Sequence, residues 1–537
     1  MSVRAAIVNG APSAMNMDST ATGSQLRFSG HHNRPQPFNP LERESIRSIF
    51  ISMVLRTYKI DTLSRDTDMS GISPYHDAPG ANLEPPEGCK VSAAAFLIRH
   101  SAIYANDDEW DDFMKPTVDK IYAARKSLRA LDHKNPLRFL GKWKVPIEEN
   151  QVEMLTEPGR KDAFGLGKRM RYLYGPLMPP KHYGKKEKSG SKGKKGDKVE
   201  EPFKVSSSLA REGISPLIRP LTRQQIFTAS SERDIESSKA WIRGAFPNHQ
   251  EGDDGEGDGK FVSLVKVPNK SSDWASSLTP HKLCPAFTKE VGKPEAQIWL
   301  ETYGPEPLKR LQEWAPEVGF ELNDIIGLQM LCGYESVILK SRSSRFCSSE
   351  LFTEYEFRSF GYWNDIKYHY QVGYGARFAP HLGMPWVNVS THNLIAAFQG
   401  PHPHLTSGSK LPPPSAPPDE EHTQLLFPYF SHREEPAVVL VALGLWNTTT
   451  IDPHRLDHDR AWHTSHLLPF LGHIALERLS CKGDDTDYMR ILVNGAPQKV
   501  PACHHGRGGS CPLDEWAEYV QERQELYIDF EGACKKD

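Results

Sequence analysis

One pattern of apolar and polar positions recurs along this chain. Residues Val91 to Ile98, VSAAAFLI, form a short, unbroken apolar run with Gly88-Cys89 before it and Arg99-His100 after it. Continuous apolarity over so few residues predicts a strand buried on both faces in a parallel sheet. Beyond it, Asn106 to Asp108 offer helix caps, and EWDDFMKPTVDKIYAARKSLRAL places apolar residues at near-helical spacing. Ile226 to Phe246, IFTASSERDIESSKAWIRGAF, repeats strand, polar turn and helix, with Arg233 where the turn becomes helical. Leu425 to Pro436, LLFPYFSHREEP, does so again, with His432, Arg433, Glu434 and Glu435 ahead of a long apolar segment. Strand, loop, helix in succession is the order of an α/β fold.

Between these units the pattern breaks down. Residues 1 to 75 are rich in Ser, Asn, Pro and Gly with weak periodicity, and read as a disordered or irregular leader. The lysine-rich stretch within 181–200 and the Pro/Ser-rich one within 400–422 read as low-complexity surface loops, as does the acidic Glu251 to Gly259. The lysine run has no interleaved aromatics and no phosphate-loop motif, so a solvated loop is the reading and nucleic acid is not a partner. His402 and His404, and His504 and His505, lie in Pro/Gly-rich loops and carry no metal assignment.

Composition narrows the class without naming a function. The 537 residues are 38% hydrophobic and 25% charged, with a net charge of -3, which excludes wholesale disorder and any global field that gathers polyanions. No apolar run is long enough to span a membrane, and no secretion signal is visible at the amino terminus. The eight cysteines contain no CxxC pair; an even number fits four disulfides, with 105 possible pairings. Asn269, Asn388 and Asn447 each head an N-x-[ST] triplet.

The candidate chemistry lies at the strand ends. In open α/β sheets ligands bind outside the carboxyl ends of the strands, so Arg99, His100, Arg233 and His432 are expected to converge there. Guanidinium forks, loop amides and helix amino termini suit an anion, and an imidazole nitrogen can attack phosphorus or move a proton.

Taken together, these segments resemble the histidine acid phosphatases, in the fungal phytase branch of the phosphoglycerate mutase-like fold. PEGCKVSAAAFLIRH is similar to the family's approach to RHGxRxP. LTEPGRKDAFGLGKRMRYLYG (Leu155 to Gly175) resembles its TxxG, helix and RxxYG stretch, and the Arg233 segment its phosphate-binding arginine turn. Phe346 to Gly375 and Trp386 to Phe398 resemble two further signature helices. The resemblance implies an α/β fold in which a doubly wound sheet domain, 76–235 with 385–537, carries an inserted, mainly α-helical domain, 236–384. It also implies four disulfides, Cys89–Cys481, Cys284–Cys534, Cys332–Cys347 and Cys503–Cys511, and with them a secreted or secretory-pathway protein.

By the same resemblance His100 is the nucleophile of a phosphohistidine mechanism, with Arg99, Arg233 and His432 binding the phosphoryl oxygens and no metal or cofactor required. Three positions depart from the family pattern. Ser101 replaces the glycine of RHG; Ile103 and Ala105 replace the arginine and proline that follow; and Arg433 stands where the HD aspartate protonates the leaving alcohol. A missing clamp donor costs about 2.7 to 4 kcal/mol unless another cation substitutes, and Arg433 is the candidate replacement. Glu434 matches the spacing of the HAE variant found in inositol polyphosphate phosphatases, so it is either the general acid or a helix cap; Glu435 reads as a cap. The expected activity is hydrolysis of a small phosphorylated substrate by an acid phosphatase. The alternatives are a phosphoryl-ligand-binding pseudophosphatase and a repurposed enzyme of the same fold doing non-hydrolytic chemistry. Substrate identity and oligomeric state stay open.

Overall fold

The strand predicted at Val91 to Ile98 is the centre of the molecule. In the computed structural model, which describes residues 69–179, 224–247, 262–270, 278–339, 344–396, 424–447 and 451–536, β1 (Cys89–Arg99) is buried along its last eight positions. It pairs in parallel with β4 (Leu426–Ser431) and antiparallel with β5 (His473–Cys481). Beyond β4 come β2 (Gln224–Ala229) and β3 (Val262–Val267), both parallel; beyond β5 come β6 (Tyr488–Val493) and β7 (Ala496–Gln498), both antiparallel, with β8 (Cys511–Pro512) also on β6. The sheet is therefore mixed, with a parallel half and an antiparallel half meeting at β1. All the described residues belong to one compact unit, Ile60–Asp537.

Successive side chains of a strand point to opposite faces, and β1 shows why both of its faces had to be apolar. Ala94, Phe96 and Ile98 pack in one core with α2 (Glu157–Leu173) and α3 (Glu232–Ala245), which supply Leu166, Met170 and Trp241; ahead of both in the chain lies α1 (Lys115–Ala123). Ala93, Ala95 and Leu97 belong to a second, larger core. That core joins α4 (Lys293–Tyr303), α5 (Pro305–Trp314), α6 (Leu322–Leu339), α7 (Glu354–Val372), α8 (Ala379–Ala396), α9 (Glu434–Ala442) and α10 (Leu513–Leu526). Where α2 and α3 cross, a Cβ at Gly167 would strike the Trp241 carbonyl and one at Gly244 the Phe164 carbonyl, so this approach requires glycine.

The segment 236–384 supplies α4 to α7 and also β3, a parallel strand on β2. The end of the leader is not irregular padding. Ser70–Ile72 is a 3-10 turn buried with Met69 in the core. One turn centred on glycine has too little periodicity to stand out from the polar chain around it. The low-complexity segments at 181–200, 251–259 and 400–422, with His402 and His404, lie outside the described residues. The disulfides are Cys89–Cys481, Cys284–Cys534, Cys332–Cys347 and Cys503–Cys511. Among the described residues no helix is long and apolar enough to cross a membrane.

Candidate active site

Because β1, β2, β3 and β4 run parallel, their carboxyl ends share one edge of the sheet, and the chain leaves each into a polar turn. Arg99 ends β1, Ser431 ends β4, and Ala229 ends β2 four residues before Arg233. β5, running the other way, begins at this edge, preceded by Phe470 and Leu471. Sheet geometry thus gathers residues more than 300 positions apart in sequence. The His100 and His432 rings lie 6.4 Å apart. Ser237 of α3, which donates its hydroxyl to the Arg233 carbonyl, accepts the Ser101 amide at 2.9 Å.

His100 is buried, and its Nδ1 sits 2.9 Å from the Ser101 carbonyl oxygen. A carbonyl can only accept, so Nδ1 carries the proton and Nε2 keeps its lone pair. Burial, followed by the charges of Arg99 and Arg233, holds the imidazole well below the usual histidine range, which keeps it neutral in acid.

Arg99 is fully buried, with its guanidinium 4.4 Å over the Phe470 ring. Its Nη1 donates to the carbonyls of Gly71 and Leu468, whereas Nε and Nη2 have no acceptor among the described residues. A buried N-H without a partner costs about 1 to 3 kcal/mol, which an acceptor brought to these donors would relieve. Burial and the neighbouring charge of Arg433 push Arg99 down to about 10. Arg233 gives Nη1 to Glu153 and leaves Nε unpaired. Glu153 stands at φ 69°, a left-handed conformation for a non-glycine residue, in the loop that also receives the Asp107 amide.

His432 is held from two sides. Its Nε2 meets Ser231 Oγ at 3.2 Å, and its Nδ1 lies 2.8 Å from Asp234 Oδ2, close but off the line a hydrogen bond needs. Ser231 in turn accepts Asn269 Nδ2 from the end of β3.

Each departure from the family pattern has a definite place. The Ser101 hydroxyl turns away toward α2 and donates to the Gly159 carbonyl at 2.8 Å. Ile103 is fully buried and bridged to Leu155, so no charge is available there. Arg433 is not a loose cation. It is buried, donates to Glu109, and lies 5.1 Å over the Tyr368 ring; burial opposes its charge, but Glu109 outweighs that and raises its pKa well above the ordinary value. Glu109 also accepts from Tyr334 and Asn106.

Glu434 is the half-buried first residue of α9. Burial pushes its pKa up, but His281, Arg433 and His432 outweigh it and hold the carboxyl well below its usual range. Glu434 is therefore ionised in the ligand-free site. Glu435 is not a helix cap, because its Oε1 contacts His281 Nδ1.

Sequence reasoning passed over Glu109, Glu153, Asp234, His281 and Lys282, which carry no motif and meet the site only through tertiary contact. Lys282 is half-buried next to His281, and burial and then the charge of Arg233 lower its pKa; its ammonium has no hydrogen bond or ion pair to a described residue.

The model of the histidine phosphatase superfamily (branch 2) matches residues 94–494, which runs from the centre of β1 past the end of β6. The chain belongs to that family. Among curated relatives it is similar to a phytase of Candida albicans, 25% identical over 459 residues that cover 85% of this chain and 84% of that one. It is likewise similar to an acid phosphatase of Schizosaccharomyces pombe, 22% identical over 461 residues covering 82% and 84%. Among solved structures, the phytase from D. castellii superposes with a TM-score of 0.64 at 18% identity over 87% of this chain and 88% of that one, which establishes the shared fold.

Proposed function

We propose that this protein is a phosphomonoester hydrolase that works through a phosphohistidine at His100. One observation carries the reading. A histidine whose Nδ1 is committed to a carbonyl, with Nε2 left nucleophilic, is grouped with Arg99 and Arg233, both holding buried donors that no described residue pairs. Such donors strengthen their hold as charge develops on the phosphoryl oxygens. Membership of a family whose curated relatives include phytases and acid phosphatases supports the same activity.

In this reading His100 Nε2 attacks phosphorus, and the phosphoryl oxygens take the free N-H groups of Arg99 and Arg233 with His432 beside them. Lys282, rather than Arg433, offsets part of the charge lost at Ile103 by attracting the phosphoryl group from outside the clamp, since Arg433 is already neutralised by Glu109. The ionised Glu434 is in the right state to take a proton from the water that hydrolyses the phosphoenzyme. Residues 76–235 and 385–537 supply seven of the eight described strands, and 236–384 adds β3 with His281, Lys282 and Tyr368. A small phosphorylated molecule is the substrate class, and four disulfides support residence in the secretory pathway. Asn388 is buried within α8 and Asn269 is bonded to Ser231, so exposed Asn447 is the triplet with room for a glycan.

The test is release of inorganic phosphate from a panel of phosphomonoesters, with acid-quench trapping of the phosphoenzyme. Turnover should fall by at least about 10³-fold in His100→Ala, and the trapped phosphate should vanish. Undiminished release in that variant sinks the proposal. The Arg433–Glu109 pair favours a second reading, phosphate-ester binding without turnover, which predicts tight binding and no release from the wild-type protein.

A further inference from the structure

The reaction needs a proton at the leaving oxygen, and the residue in the HD position cannot supply it. Arg433 holds its proton too firmly, and Glu434 has none to give. A third group is present. His281, in the 3-10 turn Pro280–Leu283 after β3, is buried with its ring centroid 5.8 Å from that of His432. Its Nδ1 is bonded to Glu435 at the start of α9, and no described residue hydrogen-bonds its Nε2. The Phe287 ring packs at 4.9 Å and fixes the plane of the imidazole.

We propose that His281, held by Glu435, is the proton donor to the leaving group. The assignment rests on the phosphohistidine reading above. In the first half-reaction the His100 Nε2 lone pair forms the P–N bond as the P–O bond to the leaving group breaks, and that oxygen takes the Nε2 proton of His281 to leave as an alcohol. In the second half water adds to phosphorus, the P–N bond breaks, and the water proton passes by way of Glu434 to His281, which regains its starting charge.

The surroundings support the required protonation state. Glu435 and Glu434 face His281 from α9, His432 from the β4–α9 turn, and Lys282 from its own turn, with Arg233 and Asp234 of α3 next to Lys282. Burial lowers the His281 pKa and Lys282 lowers it further, but the two carboxylates prevail and raise it above the ordinary value. A donor must keep its proton, so turnover should decline as pH rises through that raised value.

The experiment compares an alkyl phosphate, β-glycerol phosphate, with p-nitrophenyl phosphate, whose phenolic leaving group departs without a proton. His281→Gln should lose about 10²- to 10⁴-fold in kcat on the alkyl ester and less than about tenfold on the aryl ester, whose retained turnover also reports intact folding. Glu435→Gln should keep the alkyl-ester plateau and move its alkaline limb to lower pH. Equal losses on both esters, no loss on either, or an unmoved limb would overturn the assignment. So would loss of alkyl-ester turnover on chelation with recovery by a divalent cation, since His281, Glu434 and Glu435 also have the composition of a metal site. Wild-type protein that releases phosphate from neither ester would instead sink the parent reading.

Discussion

The two ends of the site treat charge in opposite ways. At the carboxyl end of β1, Arg99 and Arg233 keep donors that no described residue accepts, and His100 is held neutral among cations. At the start of α9, Arg433 is matched by Glu109, His281 by Glu435, and Asp108 by Lys367 and Lys289. The first end, on the proposed function, is completed by the phosphoryl group. The second has its charges paired within the protein, which on the proposal above suits it to the leaving group rather than to the phosphoryl anion. Where the resemblance implies a short aspartate, this chain has Arg433 within a set of ion-paired longer side chains.

That contrast can be broken most forcefully at Glu109. Glu109→Ala would strand a buried Arg433 together with the donors of Tyr334 and Asn106, and should cost about 3 to 5 kcal/mol in denaturant unfolding. Adding Arg433→Leu should recover a large part of the loss; if the double variant is no better than the single, the two residues are not a pair.

Arg233→Gln acts on the other end. It should reduce kcat/KM by about 10²- to 10³-fold with little change in stability. Because Arg233 helps depress the His100 pKa, the acidic limb should also move to higher pH, as the imidazole then protonates more easily. A lower rate with an unmoved limb would remove Arg233 from the neighbourhood of the nucleophile.

Lys282→Gln should have the smallest effect, roughly tenfold in KM with kcat nearly preserved, if its charge attracts the phosphoryl group without contacting the transition state. A kcat loss as large as that of Arg233→Gln would place it inside the clamp.

How far the sequence reveals this site follows the same division. β1 and β4 were legible because burial on both faces demands unbroken apolar runs, and their parallel direction put Arg99, His100 and His432 at one edge. The family signatures added the turn that carries Arg233. The balanced end left no such trace. Glu109 lies within a stretch that periodicity alone reads as an amphipathic helix, and it meets Arg433, 324 positions away, only because α6 and α7 bring Tyr334 and Tyr368 alongside. Glu435 reads as a cap wherever a helix is about to start; the imidazole that claims it follows a different strand. Local pattern records what a segment buries, whereas an ion pair across distant segments is recorded only by their meeting.

The position of β1 has a consequence for biosynthesis. This strand leaves the ribosome early, yet both neighbours that cover its edges, Leu426–Ser431 and His473–Cys481, are translated hundreds of codons later, and Cys89 waits for Cys481 across 392 residues. An alanine-rich apolar ribbon is therefore exposed for tens of seconds at about 5 to 20 residues per second, long enough to call for a holding chaperone. Nascent chains arrested before codon 473 should remain sensitive to protease throughout the segment that contains His100.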